Sequence, residues 1–314
     1  MPATLLRSID ELRAVQTEWD ALWRRDPRAT PFQSPAWLLN WWDRFGGGDV
    51  AAVAVRDNDT LTGLTPLYVL RDEDSGESLG MLIGTGISDY LDALGHFDPA
   101  PLAGFDCMLW DLQSLRPDSP ILTASLDGYS AIDEDQEPCP LLDLRGELGS
   151  SHFRKKLRYL HRLAAREGNV SFESATRASL DEYLEALFAL HAARWKLRGL
   201  PGVLADSTTQ DFHRAVAASF LDSGTLRMYA MRIDTRIAAI FYGFAHHTTT
   251  YYYLGGYAPD LDRISPGTLI VAHAVEQAQR EGHTTFDFLR GAEEYKYSWG
   301  ATDRINRKRQ WIRT

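Results

Sequence analysis

Two spacings of hydrophobic residues alternate along this chain, and together they predict a mixed α/β protein. The first helix is predicted from apolar residues at helical spacing, namely Ile9, Leu12, Trp19, Leu22 and Trp23. A second, aromatic helix is predicted in AWLLNWWDRFGGG, where glycines end it. The following stretch, VAAVAVRDNDTLTGLTPLYVL, predicts two strands joined by a tight turn at Asp57, Asn58 and Asp59.

The second half of the chain gives clearer signals. Three helices are predicted from Ser151 to Gly168, from Ser179 to Gly199 and over 210–222. A fourth begins at Ser265, because Pro266 suits the first helical position. Strands are predicted in VSFES, TLRMYAMRI, RIAAIFYGFA, TTTYYYLGGY, FDFLRG and the basic tail NRKRQWIRT.

Domain organisation follows from one linker signal and one internal echo. The segment 133–140, DEDQEPCP, is acidic and contains proline, so it is predicted to be a loop or linker. The stretch VAAVAVRDNDTLTGLTPLY resembles LRMYAMRIDTRIAAIFYGF in the second half. This similarity predicts two related α/β modules in tandem, at 1–145 and 146–314.

Composition narrows the functional class. The chain has 314 residues, of which 44% are hydrophobic, and a formal net charge of −10. This charge argues against broad nucleic-acid affinity, and DNA is not an expected partner. No run of about 18 apolar residues and no signal peptide is present, so a cytoplasmic protein without a membrane span is expected. The two cysteines lack a CxxC spacing, and neither a disulfide nor a bound metal is expected.

The start of the helix at Ser265 is a candidate phosphate site. The first amides of a helix have no intrahelical partner, and the helix dipole places partial positive charge there. Pro266 has no amide, but Gly267, Thr268 and Leu269 do, and Gly267 lets a ligand approach the backbone. These features favour a pyrophosphate seat, and the alternative is a capped helix with nothing bound.

Several motifs together resemble the GNAT acyltransferases, in particular the CelD-like branch related to the FemAB peptidoglycan-peptide transferases. The resemblance rests on TPFQSPAWLLNWW, SDYLD, HAARWKLRG, RISPGTLIVAHAVEQAQREG and FDFLRGAEEYKYSWGA. It implies two tandem GNAT-like modules, each a mixed, largely antiparallel sheet flanked by helices. It also implies that the second module binds an acyl-CoA as co-substrate, with acetyl-CoA as the expected one. The phosphate turn keeps Arg263, whereas Pro266 and Thr268 replace the small residues usual in that turn.

The resemblance further implies a gap between two parallel strands that holds the pantetheine arm of CoA. Gly255 and Gly256 end the tyrosine strand, and paired glycines often mark a bulge or a close backbone approach. The strand FDFLRG would form the other side of the gap. The cofactor-binding candidates are therefore Arg263, Ser265, Gly267, Thr268 and Leu269.

Four residues are catalytic candidates for direct attack by the acceptor on the thioester. Asp287 lies in an otherwise apolar strand, so it is either the base or a structural partner of Arg290 or a backbone amide. The resemblance implies that Lys296 contacts the reacting carbonyl, and the alternative is an ion pair with Glu293 or Glu294. Strand alternation places Tyr253 and Tyr257 on one face, where either could protonate the thiolate or simply pack in the core.

Substrate-binding candidates come from both modules. By resemblance SDYLD, with Ser88, Asp89, Tyr90 and Asp92, would line the acceptor cleft, and the alternative is a turn with capping aspartates. His191, Arg194 and Trp195 share one helical face that would meet the cleft or pack in the core. The helix from Ser151 carries a basic face that is either solvated or binds an anionic partner, listed as Arg154, Lys155, Lys156, Arg158, Arg162 and Arg166.

Three functions follow as expectations. The first is transfer of an acyl group from acyl-CoA to an amine or hydroxyl of a small-molecule or saccharide acceptor. The second is a FemAB-type transfer from aminoacyl-tRNA, in which the basic helix binds RNA with a steep dependence on salt. The third is an inactive GNAT fold that serves as a binding module.

Overall fold

The structure is a computed structural model that describes residues 2–72, 74–197 and 199–314. The chain divides into two compact units. The first runs from the start of the chain to Pro138 and also takes in Arg304–Thr314, and the second is Cys139–Asp303. The sequence placed the division near 145 and the last eleven residues in the second module. Those residues belong to the first unit because their strand pairs with Leu109–Leu115 there.

Among its described residues, the first unit has three α-helices and strands of two sheets. Its helices are α1 (Ile9–Ala14), α2 (Gln16–Arg25) and α3 (Pro35–Phe45). Its first eight strands are β1 (Ala3–Leu6), β2 (Asp49–Val50), β3 (Ala52–Asp57), β4 (Thr60–Thr65), β5 (Leu67–Arg71), β6 (Ser78–Leu82), β7 (Leu94–Gly95) and β8 (Leu109–Leu115). The predicted hairpin is confirmed, since β3 and β4 pair antiparallel and Asn58 takes the left-handed conformation of the turn, with φ 51°.

The acidic segment 133–140 is a strand, and its prediction as a linker was wrong. It belongs to β9 (Tyr129–Asp143), and the basic tail forms β15 (Thr302–Arg313). In the first unit these two strands are neighbours, so their opposite charges meet. Arg309 donates to both oxygens of Asp133 at 2.7 Å, and Arg307 lies 3.0 Å from Asp135. Cross-strand ion pairs of this kind stabilise a sheet, and they explain why both segments are so highly charged.

The second unit places helices on its sheet. Its helices are α4 (Ser151–Ala164), α5 (Leu180–Lys196), α6 (Ser207–Asp222), α7 (Pro266–Arg280) and α8 (Glu294–Ser298). Its strands are β10 (Val170–Ser174), β11 (Leu226–Ile233), β12 (Arg236–His246), β13 (Thr249–Tyr257) and β14 (Thr285–Asp287). The strand order is β10-β11-β12-β13-β14, followed by the end of β9, and only β13 and β14 of these neighbours are parallel.

The main core of the second unit packs between the sheet, α4 and α7. Phe153, Leu160 and Leu163 lie on the buried face of α4. Leu269, Ile270 and Val271 belong to the same core. The start of α7 is also confirmed, with Ser265 as N-cap and proline in the first turn. No helix in the described ranges is long and apolar enough to cross a bilayer.

Candidate functional site

Strands β13 and β14 separate in the second unit. They pair in parallel over three residues, and the last pair joins Tyr251 to Asp287. Strand β14 then ends, while β13 continues for six residues to Tyr257. The backbone edge of residues 252–257 on that side therefore faces a gap in the sheet, at the place where the sequence predicted one.

A β-bulge decides which tyrosines face this gap. The register between β12 and β13 shifts at Tyr253, because Tyr242 opposes Leu254 while Gly243 opposes Tyr252. A bulge inserts one extra residue and shifts the alternation of the side chains by one position. Tyr252 therefore shares a face with Tyr257, whereas Tyr253 lies against the rings of His213, Tyr242 and Phe244. The expected pairing of Tyr253 with Tyr257 is corrected to Tyr252 with Tyr257.

A pocket of about 190 Å³ lies along this stretch of β13 and reaches the start of α7. Its polar and glycine lining comes from Arg194, Tyr252, Gly255, Gly256, Tyr257, Asp262, Ser265, Gly267, Thr268 and Tyr295. Ile240, Ile270 and Val271 supply an apolar wall. Apolar walls with a few convergent polar groups are typical of small-molecule sites.

Arg194 is the cation of the pocket. Its guanidinium lies over the Tyr257 ring, 5.4 Å from the centroid. In the described part of the chain, no carboxylate lies within salt-bridge distance of Arg194, and its enclosed Nε makes no hydrogen bond. An enclosed cation without an acidic partner favours an anionic or strongly hydrogen-bond-accepting ligand.

The start of α7 supplies one amide rather than the three expected. Thr268 and Leu269 both donate their N–H to the Ser265 carbonyl, at 3.0 and 3.2 Å. Gly267 packs closely against Tyr257, since a Cβ at this position would lie 3.0 Å from the Tyr257 ring. The Gly267 amide and the helix dipole therefore remain as the attraction for an anion. Asp262 also lines the pocket, but its carboxylate is exposed and its charge is screened by solvent.

Two other cofactor candidates point away from the pocket. The Arg263 side chain is 72% exposed and pairs with Glu167. Leu269 is fully buried in the core, so its side chain serves packing. Local spacing identified the helix terminus correctly, but the direction of each side chain depends on α4 and the sheet, which pack against it.

Asp287 shapes the turn that leaves β14. Its residue is 1% exposed, and its Oδ1 accepts the N–H of Leu289 at 2.8 Å. Leu289 has a φ of 57°, a left-handed conformation that a leucine adopts only when its surroundings enforce it. Asp287 does not line the pocket, and its contact with the Leu289 amide matches the predicted alternative of a structural partner of a backbone amide rather than a base.

Lys296 holds the same turn from α8. The ammonium group donates to the carbonyls of Leu289, Arg290 and Gly291 at 3.2, 2.7 and 3.0 Å. It also lies 2.8 Å from the Glu293 carboxylate, and the side chain is 3% exposed. An ammonium group has three protons, and these acceptors engage all of them. The predicted alternative, an ion pair with Glu293, is present, and the carbonyl contacts of Lys296 are to the backbone of the turn rather than to a reacting carbonyl.

Of the expected trio on α5, only Arg194 reaches the pocket. His191 is 3% exposed, and its Nε2 accepts the indole N–H of Trp195 at 2.9 Å. Burial and the neighbouring Arg194 charge lower the pKa of His191 to about 4, so it stays neutral. Gly256 explains the close approach of α5, because a Cβ there would lie 2.7 Å from that of Leu190. His191 and Trp195 thus form a structural pair that supports the helix behind Arg194.

The SDYLD segment is buried in the first unit. Ser88 accepts the indole N–H of Trp37 at 2.9 Å, and the Asp89 carbonyl accepts from Asn306 at 3.0 Å. Tyr90 is fully buried beneath the Arg304 guanidinium, 4.7 Å from the ring centroid. The geometry corrects the expected cleft lining to internal packing, because each of these groups already contacts the protein.

Asp92 completes this buried segment and should make stability depend on pH. It is 5% exposed and accepts a hydrogen bond from Ser119 at 2.6 Å. Burial raises its pKa from 3.8 to about 6 despite that bond and the nearby Arg116 and Arg28. The folded state therefore holds this proton more tightly than the unfolded state, so stability falls as pH rises from about 4 to about 6.

The expected contribution of Asp92 is a loss on the order of 3 kcal/mol across that window. Urea unfolding of wild type and Asp92→Asn between pH 4 and 7 measures it. As the pH rises, wild type should lose about 3 kcal/mol of unfolding free energy relative to Asp92→Asn, because asparagine does not titrate. A difference independent of pH would show that Asp92 is ionised over the whole range.

Sequence reasoning missed two lining residues, Tyr252 and Tyr295. Burial raises the pKa of Tyr252 to about 12 and also raises that of Tyr295, so both hydroxyls remain protonated donors. The bulge hid Tyr252. Tyr295 lies in the aromatic EYKYS stretch, and this composition was the available signal.

A second hollow, of about 360 Å³, lies on the first unit beside Arg7, Arg71 and Asp106. Arg71 pairs there with Asp49 and Asp106 at 3.2 and 3.3 Å. Its charges are thus already matched, which makes it a weaker ligand site than the pocket on β13. Within the described residues, no group of three or more metal-ligating side chains could hold a metal ion.

Comparison with known proteins finds one protein family whose sequence pattern matches the half of the chain that contains this pocket. Residues 151–297 match the family model of the acetyltransferase (GNAT) domain. The matched region therefore has the sequence pattern of a GNAT acetyltransferase domain. The GNAT resemblance read from the sequence is confirmed, and the protein is a transferase. No curated protein matches the chain at a significant level.

Several solved structures have the same fold as this protein over nearly the whole chain. FemX is 12% identical with a TM-score of 0.66, covering 98% of this chain and 97% of its own. A conserved protein of unknown function from Bacteroides thetaiotaomicron VPI-5482 is 13% identical, with a TM-score of 0.64 over 95% and 97%. The C-terminal domain of a putative lysylphosphatidylglycerol synthetase from Agrobacterium fabrum is 12% identical. Its TM-score is 0.61, and the match covers 96% of this chain and 92% of that domain. At these identities the likeness establishes the tandem GNAT-like fold.

Proposed function

We propose that the protein is a cytoplasmic acyltransferase of the CelD-like branch that takes a short acyl group, such as acetyl, from acyl-CoA. The acceptor is an amine or hydroxyl of a small molecule or saccharide, and it attacks the thioester directly. The observation that carries the proposal is the pocket that joins the gap after Tyr251 to the start of α7. A gap in a sheet and a helix N-terminus are what an extended arm ending in a phosphate requires.

The size of the pocket supports a short acyl group. Its volume of about 190 Å³ lies below the range of about 300–1,000 Å³ that encloses a whole drug-sized ligand. It therefore suits the narrow acyl-pantetheine end, while the nucleotide would remain outside. Tyr252 and Tyr295 are pocket tyrosines, and a bulky acyl chain would have to displace one of them.

Each polar lining group has a role in this proposal. Arg194 and the Gly267 amide attract the negative charge of the donor. The hydroxyls of Tyr252, Tyr257 and Tyr295 are the available donors to the carbonyl oxygen and the departing thiolate. The turn clamped by Asp287 and Lys296 positions Tyr295, the second residue of α8.

Transfer from aminoacyl-tRNA is the second candidate, and the basic face of α4 favours it. Arg154 pairs with Glu147 at 3.0 Å. Four exposed cations one turn apart have no carboxylate partner among the residues described, namely Lys155, Arg158, Arg162 and Arg166. Such a row is unusual in a chain of net charge −10, and it would follow a phosphodiester backbone.

Side-by-side calorimetric titrations distinguish the two donors. Acetyl-CoA is expected to bind with an affinity that changes little between about 50 and 200 mM salt, whereas tRNA binding through four phosphate contacts should fall by about 10²-fold. Binding of aminoacyl-tRNA without acetyl-CoA would reverse the proposal in favour of the second candidate. Binding of acetyl-CoA without turnover of any amine or saccharide tested would favour an inactive binding module.

A further inference from the structure

Three aliphatic side chains stand in solvent on the loop between α5 and α6. Leu197, Leu200 and Val203 are 75%, 52% and 62% exposed, and they lie within seven residues. The other strongly exposed aliphatic residues in the described ranges, such as Met108 and Ile132, are scattered singly. Isolated exposed apolar residues are ordinary, whereas a cluster marks a surface that binds something.

The loop is built to display these side chains. The amides of Gly199 and Leu200 donate to the Lys196 and Trp195 carbonyls, both at 3.1 Å. On the far side, Leu204 is buried and its carbonyl accepts the Gln210 side chain at 2.9 Å. Gly202 has a φ of 78°, and a Cβ there would lie 2.8 Å from both His191 and Trp195. These contacts fold the loop back on α5.

Positive charge accompanies the exposed cluster. Lys196 is exposed at the end of α5 and, like Arg194, has no carboxylate within salt-bridge distance in the part of the chain that is described. The nearest acid along the loop, Asp206, is occupied by capping α6, since it accepts the Thr209 amide at 2.9 Å. Exposed apolar side chains beside an exposed lysine that has no acidic partner favour the surface of an anionic bilayer.

We propose that this loop, defined by Leu197, Leu200 and Val203, docks the second unit onto an anionic lipid bilayer. The three aliphatic side chains enter the interfacial region, and Lys196 lies at the level of the lipid phosphates. The net charge of −10 opposes long-range attraction, so contact depends on these local groups within a Debye length of about 8 Å. The loop directly follows α5, the helix that carries Arg194.

Co-sedimentation with vesicles tests this inference without any acyl donor or acceptor, so its outcome is independent of the proposed reaction. The full chain is expected to sediment with vesicles of phosphatidylcholine and phosphatidylglycerol, and much less with phosphatidylcholine alone. The triple variant Leu197→Ser/Leu200→Ser/Val203→Ser should reduce the partition coefficient by about tenfold or more. Lys196→Glu should reduce it about fivefold or more, and this effect should shrink at high salt.

Two controls make the result specific. Met108→Ser removes an exposed apolar side chain of similar exposure, at 51%, in the first unit and should leave sedimentation unchanged. Leu197→Ser alone changes the most exposed member just beyond α5, so it serves if the triple variant fails to fold by circular dichroism. The proposal is overturned if wild type does not sediment with anionic vesicles, or if the loop variants sediment with them as much as wild type does. It is also overturned if the loop variants instead abolish a concentration-dependent dimer, because a second copy would then cover the cluster.

Discussion

Replacing Lys296 by methionine is expected to lower the free energy of unfolding by about 2–3 kcal/mol. The substitution keeps the length and apolar stem of the side chain but removes the donor to three backbone carbonyls of 289–291. The Leu289 carbonyl is buried and those of Arg290 and Gly291 are partly buried, and each costs up to about 1 kcal/mol when it loses its partner. The freed Glu293 adds little, because its side chain is 55% exposed and remains hydrated.

Urea unfolding measures this effect, and Lys308→Met is the matched control. Lys308 is also an ion-paired lysine, at 3.3 Å from Asp111, but its side chain is 20% exposed. It bonds to carboxylates and not to buried carbonyls, so its loss should cost about 1 kcal/mol or less. If Lys296→Met unfolds like wild type yet loses about 10²-fold or more in kcat, the ammonium group acts on the substrate and the clamp is wrong.

A negative charge at position 267 is expected to weaken acetyl-CoA binding by about thirtyfold or more, which corresponds to about 2 kcal/mol. Gly267 carries the amide left over at the start of α7, so an aspartate there would meet the phosphates of the donor. Two unit charges about 4 Å apart repel by about 4 kcal/mol near a protein surface, and solvent in the open pocket reduces this.

Gly267→Ala separates the steric part of this effect from the charge. Its Cβ would lie 3.0 Å from the Tyr257 ring, so a small displacement of the ring and a modest loss of affinity are expected. Gly146→Asp adds the same charge in open space in the second unit and should leave affinity unchanged. Equal losses for Gly267→Ala and Gly267→Asp would mean that crowding of Tyr257, and not charge, governs the site.

Local signals in the sequence located much of this site. The start of α7 could be predicted because a serine followed by proline is a property of neighbouring residues. The Gly255–Gly256 pair likewise indicated a close backbone approach, which α5 makes at Gly256. The GNAT fold could be recognised because these local signals occur in the family's order.

Contacts between distant segments defeated the remaining predictions. The bulge that selects Tyr252 over Tyr253 arises from pairing with β12, and no spacing within TTTYYYLGGY reveals it. The acidic segment 133–140 looked like a linker because its basic partner Arg309 lies 176 residues away from Asp133. Asp287 and Lys296 were singled out correctly as unusual, but their partners are backbone groups of a turn whose path the sequence does not specify.

The central claim is that the donor binds between the gap in the sheet and the start of α7. Isothermal titration of acetyl-CoA into wild type, Gly267→Asp and Gly146→Asp tests it most directly. The account predicts saturable binding to wild type and Gly146→Asp, and a loss of about thirtyfold or more for folded Gly267→Asp. Equal affinity of all three proteins for acetyl-CoA would place the donor elsewhere and contradict the account.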